Sequence, residues 1–439
     1  MNGTECLLRI GSDDLSVVGT VHLDEVSKLP MLTYSDEWRA RGFPLAPSLP
    51  FTATPADAFS HFLENLIPEE PHRNRICNVL HISRGNLLGL ALSMGNDLTG
   101  ALILESIPPA GAKEKTFRPI SEDELLLRLT DPGNHPMEIW DRRPRLSVAG
   151  VQTKLNLLKI GSQYGLTEGT DLSSDRILKF DDIRDNRFLV MNEFISMQLA
   201  RACGLPVADV SLMNIGGRRA LEVLRFDRKF DEQQKRTDRK YMIDACQALG
   251  VISTYKYEHH LGNTGDEMCW RQGVTFKKLY SLKSHAFNPP AFLRSLFTWM
   301  IFNLLIGNSD SHGKNISFFV SRSGITMTPW YDLLSVRLIP NVSHELALSV
   351  GDEFDPAAIH ALQLLYEADD AGIPNAKKLI GNILERILGV LEKGTSVVAL
   401  PDDLSDGEKA LVERYDRFLA GQVRYWKKEA KILPKLTVY

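Results

Sequence analysis

Cysteine is scarce. There are five in 439 residues, at Cys6, Cys77, Cys203, Cys246 and Cys269, an odd number with no two at C-x-x-C spacing. That excludes a disulfide framework and a zinc knuckle, and scattered thiols suit a reducing cytoplasm. A basic excess is also missing. Lys and Arg number 51 against 55 Asp and Glu, a net charge of −4, so the chain as a whole is not built to coat nucleic acid. There is no membrane-length apolar run, which takes about 20 residues. The longest, AFLRSLFTWMIFNLLI at 291–306, has 16 and carries Arg294 and Asn303, so it reads as a buried core helix. The start, MNGTECLLRIGSDD, has no basic segment leading into an apolar one, which argues against a signal peptide. No repeat or low-complexity tract interrupts the chain. A cytoplasmic, non-membrane protein is the expectation.

What is present is an ordinary globular balance, 44% hydrophobic and 24% charged, with length for roughly three domains. Short strands with turn signals fill 5–34, the three prolines of FPLAPSLPF (43–51) keep that stretch extended, and 55–66 reads as a helix. IPPAGAKEKT at 107–116 is the best linker. Ser121 and Glu124 then form a capping-box pattern before ELLLRL. LSVAGVQTKLNLLKI (146–160) reads as strand–loop–strand and RILKF (176–180) as a strand. NEFISMQLARACGL (192–205) is an amphipathic helix closed by Gly204 and Pro206, and two strands flank Gly216-Gly217. From 241 the pattern turns helical, ending in about three amphipathic helices over 356–430. The fold class is α+β: 1–106 an N-terminal subdomain, 107–240 a mixed α/β lobe, 241–439 a helical lobe.

The chemistry concentrates in Gly307-Asn308-Ser309-Asp310-Ser311-His312-Gly313-Lys314-Asn315, a polar loop between a very apolar helix and the strand ISFFV. Rigid flanks are what hold catalytic loops. Asp310 and Asn315 have the D-x-x-x-x-N spacing of a protein-kinase catalytic loop, in which a carboxylate orients the acceptor hydroxyl and an amide faces the metal. A second carboxylate is then needed. Asp332 is expected at the end of the strand returning from a hairpin that starts at Asn315, where both could bind one Mg2+ through oxygen. Such a loop alone is often only a turn. Upstream, Lys179 on a strand and Glu193 at a helix start fit the lysine–glutamate arrangement of kinases, although as isolated residues both are ordinary solvated charges. LSVAGVQTK would cover phosphates, but its single Gly150 departs from G-x-G-x-x-G.

Together these residues resemble the HipA family of bacterial toxin–antitoxin serine/threonine kinases. The matching pieces are SVAGVQTK (147–154), ILKF (177–180), NEFISMQLARACGLPV (192–207), ALEVLRFDRKF (220–230), DACQALG (244–250), LLIGNSDSHGKNISFF (304–319) and MTPWYDLLS (327–335). PLAPSLPF, FLENLIPEE and GNDLTGAL extend the likeness into the N-terminal part. The resemblance implies a two-lobed protein-kinase-like fold with an added N-terminal subdomain, and ATP and Mg2+ as cofactors. It makes Asp310 the proton acceptor. His312, Gly313, Lys314 and Asn315 would meet the phosphates and metal, with Tyr331 and Asp332 completing the metal side. Ala149, Gly150, Val151, Gln152, Thr153, Lys154 and Lys179 would serve the phosphates, and Leu224, Arg225 and Phe226 the adenine hinge. Ser147 would be the autophosphorylated serine, its added charge competing for the groups that hold ATP. Departures stand at Leu224, where the family has glutamate, at Asn96, where it has arginine, and at Ile243, where it has glutamate.

The resemblance further implies a DNA-binding antitoxin, with DNA contact through that partner, and protein targets such as aminoacyl-tRNA synthetases. Two other readings fit the same loop. Asp310-x-His312-x-x-Asn315 also has the order of lipid and small-molecule kinases, and a degenerate kinase could serve as a corepressor or scaffold.

Overall fold

The computed structural model describes residues 5–11, 16–52, 54–95, 97–107, 116–145, 152–169, 171–182 and 187–437. Contacts divide the chain into two units, one of 1–183, 211–253 and 317–325, the other of 184–210, 254–316 and 326–439.

In the first unit, Cys6, Leu8 and Ile10 are buried while Leu7 and Arg9 are half-buried, the period-two pattern of a strand with one face in the core. This strand, Cys6–Ile10, lies between Ser16–Leu23 and Leu102–Ser106, with Pro30–Tyr34 beyond, in an antiparallel four-stranded sheet. A second sheet has the order Val210–Ile215, Arg218–Leu224, Arg176–Phe180, Lys154–Ile160, Gln163–Glu168, Thr116–Pro119. The turn joining its first two strands uses Gly216 and Gly217 at φ 55° and 80°, a left-handed pair that glycine alone adopts without cost. The helix Glu122–Thr130 opens with the expected capping box: Ser121 Oγ accepts from Glu124 N while the Glu124 carboxylate accepts from Ser121 N. Its Leu125 and Leu129 pack on Leu155, Leu157, Leu166 and Leu178 of the sheet, each leucine worth about 1.5–3 kcal/mol of burial. Met242–Asp244, Ser317–Ser321 and Gly324–Met327 form a third, smaller sheet.

In the second unit, Pro289–Ile306 is buried at every residue from Leu296 to Ile306, which suits a helix that is hydrophobic nearly all round there. Its length and composition would let it cross a membrane, but 72% of it is buried inside the protein, as expected of a core helix. Asn288 caps it by accepting from Ala291 N, with proline in the first turn. Around it pack Ala376–Leu391, which buries Ile380, Ile383, Leu384, Ile387, Leu388 and Leu391, and Asp406–Ile432, which buries Leu411, Tyr415, Leu419, Val423 and Trp426. Both stripes recur at three- and four-residue steps. With Ala361–Asp370 these are the three tail helices expected from periodicity.

One element departs from expectation. The strand returning from the hairpin is Gly324–Met327 and does not reach Asp332. Pro329 has no N–H to continue a ladder. Trp330 pairs instead around Val207, donating to Pro206 O (2.7 Å) and accepting from Ala208 N (2.8 Å). Asp332 thus lies beyond an irregular segment, at a left-handed φ of 57°.

Candidate active site

The loop expected to carry the chemistry is built outward from the end of the core helix. Gly307, at φ 73°, closes that helix by donating back to Asn303 O and Leu304 O. A side chain there would collide with Phe418 and Arg337, at 2.7 and 2.8 Å. Asn303 then anchors the start of the loop. Its carbonyl accepts Asn308 N (2.8 Å), its side-chain oxygen accepts Asn308 Nδ2 (2.7 Å), and its own Nδ2 donates to Trp299 O (2.9 Å). Ser309 O accepts from Ala347 N at 2.8 Å, and Lys314 O from the Tyr331 hydroxyl at 2.8 Å. Gly313 sits where a β-carbon would meet Val274 at 2.7 Å.

The consequence is a loop in which every residue from Asn308 to Ile316 is buried except Asp310, which is exposed. The backbone carbonyl of Asp310 accepts from His312 N (2.8 Å) and from Asn315 Nδ2 (3.1 Å). The second bond commits the nitrogen of the Asn315 amide and leaves its oxygen as the atom able to ligate a cation. Asp332 adds a carboxylate, held at a backbone conformation that costs about 1–3 kcal/mol for a residue other than glycine and that clusters at functional sites. Both are hard oxygen donors of the kind Mg2+ prefers. An ion held by one amide and one carboxylate would need further oxygens, of the kind that nucleotide phosphates carry. Among the described residues no group of three or more His, Cys, Asp or Glu could hold a metal ion. Burial holds the His312 imidazole well below its usual value, and Lys256 pushes the same way, so the ring is neutral at pH 7.

The first unit carries the other candidates. Lys154 and Lys179 are register partners on neighbouring strands, 5% and 8% exposed. Two like charges facing each other repel, and burying them requires compensating polar or anionic company. Lys179 is therefore no solvated surface charge, and neither is Glu193 of the second unit, 2% exposed on the helix Leu189–Ala202. Gln152 donates to Phe180 O at 3.4 Å and Thr153 O accepts from Phe180 N at 2.9 Å. Ser147, Ala149, Gly150 and Val151, like the departure at Asn96, lie outside the described residues. Leu224 ends its strand opposite Arg176, and Phe226 packs edge-on against Phe319. Arg225 is committed inside the unit: its N–H donates to Asp175 O, and its guanidinium donates to both Asp227 oxygens (3.0 and 2.8 Å) and to Ser174 Oγ (3.1 Å). Burial alone would raise the Asp227 carboxyl, but Arg225 and Arg228 hold it down to about 2.

One contact went unseen in the sequence. The Tyr257 hydroxyl donates to Asp310 Oδ1 at 2.9 Å, and the Tyr257 ring stands edge-on to His312, centroids 5.1 Å apart. A tyrosine 53 positions upstream, in a segment without helical or strand period, gives no pattern by which it could be found.

An exposed aspartate on an otherwise buried loop, with an asparagine five residues on, has the arrangement of a protein-kinase catalytic loop. The chain belongs to the HipA family: the HipA N-terminal domain matches residues 13–105 and the HipA-like C-terminal domain 146–392. It is 39% identical to the serine/threonine-protein kinase toxin HipA of Shewanella oneidensis, over 93% of this chain and 94% of that one. It is 30% identical to the putative kinase Y4mE of Sinorhizobium fredii, over 89% and 92%. HipA in the S. oneidensis MR-1 complex of HipA, HipB and operator DNA superposes with a TM-score of 0.88 at 36% identity, covering 99% of this chain and 100% of that one. The chain is thus an α+β serine/threonine protein kinase.

Proposed function

We propose that this kinase transfers the γ-phosphoryl group of ATP to a serine or threonine hydroxyl of a bacterial protein, and that it is the toxin of a toxin–antitoxin pair. The observation that carries the reading is Asp310, the one exposed group in a loop otherwise buried from Asn308 to Ile316. A carboxylate so presented can take the proton of an acceptor hydroxyl as its oxygen bonds to phosphorus. Asn315 and Asp332 would hold Mg2+, which when bound neutralises charge on the β- and γ-phosphates. Lys154, Lys179, His312, Gly313 and Lys314 serve the phosphates, with Ala149, Gly150, Val151, Gln152 and Thr153 as the covering loop. Tyr331 supports the metal side, and Leu224, Arg225 and Phe226 border the adenine. Ser147 is the site of self-modification.

The family and the relative solved with HipB and operator DNA support a DNA-binding antitoxin as partner, with DNA reached through it. An aminoacyl-tRNA synthetase is the class of target the family suggests, in the cytoplasm. In this reading 1–106 is the added subdomain, 107–240 the nucleotide lobe and 241–439 the catalytic lobe.

The test is Asp310→Asn. ATP binding, measured by calorimetry, is expected to persist while turnover falls ~10²–10⁴-fold or more, the usual worth of a positioned base. Turnover at the parental rate would remove Asp310 from the mechanism.

A further inference from the structure

We propose that Tyr257 is a positioning residue for Asp310, its hydroxyl holding the carboxylate in the orientation from which it meets the acceptor. This rests on the reading of Asp310 as the base.

The last torsion of an aspartate is broad and shallow, so its orientation is set by the donors on its oxygens. A donor at 2.9 Å on Oδ1 selects one orientation, and a hydrogen bond to an ionised acceptor is among the stronger kinds.

The donor is itself held. Glu258, the next residue, is 2% exposed, and its carboxylate accepts from Ser349 N (2.8 Å), from Ser349 Oγ and from Arg271. Before Tyr257, Tyr255 O accepts from Val274 N at 2.8 Å. The Tyr257 ring is braced on one side by His312, which is 7% exposed, and Lys256 Nζ lies 5.3 Å from its centroid.

The decisive feature is Ala347. Its N–H donates to Ser309 O (2.8 Å) and its carbonyl accepts from Glu258 N (3.0 Å). One residue therefore ties the backbone beside Asp310 to the backbone beside Tyr257. The distance between hydroxyl and carboxylate is set by main-chain bonds rather than by two mobile side chains meeting. Preorganisation of this kind is what positions a catalytic group before substrate arrives.

The experiment measures ADP release by the full chain in ATP and magnesium chloride, which counts transfer to any acceptor, protein or water. Tyr257→Phe removes one oxygen and keeps the ring against His312. It is expected to lower kcat about 10-fold with KM for ATP within about twofold, and to leave the melting temperature near parental. The double variant Tyr257→Phe/Asp310→Asn is expected to be no slower than Asp310→Asn alone, within about twofold, because with no carboxylate there is nothing to orient. A purely structural role would slow both backgrounds equally, so additive losses overturn the inference, as does an unchanged kcat in Tyr257→Phe. If Asp310→Asn itself turns over at the parental rate, it is the reading of Asp310 as base that fails.

Discussion

At the scale of single residues, burial alters the titration of a carboxyl in the second unit. Glu367, on the helix Ala361–Asp370, accepts from Gly351 N at 2.8 Å and meets the Tyr280 hydroxyl; burial lifts its carboxyl to about 7. Between pH 4.5 and about 7 the unfolded chain releases this proton while the folded one keeps it. The unfolded state then binds fewer protons, so stability falls as pH rises through that window and is lowest above it. The cost is roughly 3 kcal/mol at most. Glu367→Gln keeps an acceptor for Gly351 without the charge. The variant should melt higher than the parent at pH 8 and close to it at pH 5. An equal difference at both values would show that the carboxyl is not held protonated.

At the scale of elements, the loop proposed to be catalytic takes its shape from the end of the core helix. Gly307 adopts a left-handed φ at the one point where Phe418 and Arg337 leave no room for a side chain. Gly307→Ala is therefore expected to cost about 1–3 kcal/mol, lowering the melting temperature by a few degrees, and to reduce turnover by displacing Asn308 and Asp310. A variant with parental melting and turnover would mean that the helix end does not set the loop. Asp332 is the contrasting case. The hairpin expected to deliver it stops at Met327, and the pairing of Trp330 around Val207 carries the chain onward in its place.

At the scale of the whole molecule, the self-modification proposed for Ser147 gives a readout that needs no knowledge of the target. Incubation with ATP and magnesium should add phosphate to the parent chain, located by mass spectrometry on Ser147, and none to Ser147→Ala. Phosphate found elsewhere and never on Ser147 would reject that switch. Bacterial extract in the same incubation reports which proteins become labelled. Loss of all labelling in Asp310→Asn would tie both events to one base.

The sequence by itself determined what short-range pattern can encode. The strands at 154–160 and 176–180, the reciprocal cap of Ser121 and Glu124, the helix closed by Gly307 and the three tail helices all arise from periodicity and from residues with fixed backbone preferences. The loop that carries Asp310 and Asn315 was legible for the same reason, since their spacing lies within it, and the likeness to the HipA family covered nearly the whole chain. Only the tertiary structure decided which of these groups are dry, how Asp332 is presented, where the Arg225 side chain is spent, and that Tyr257 meets Asp310. Those outcomes depend on contacts between residues tens of positions apart, as with Ala347 bridging Ser309 and Glu258. No periodicity records such a pairing, because the free energy that selects it comes from packing and from hydrogen bonds completed only when the chain has folded.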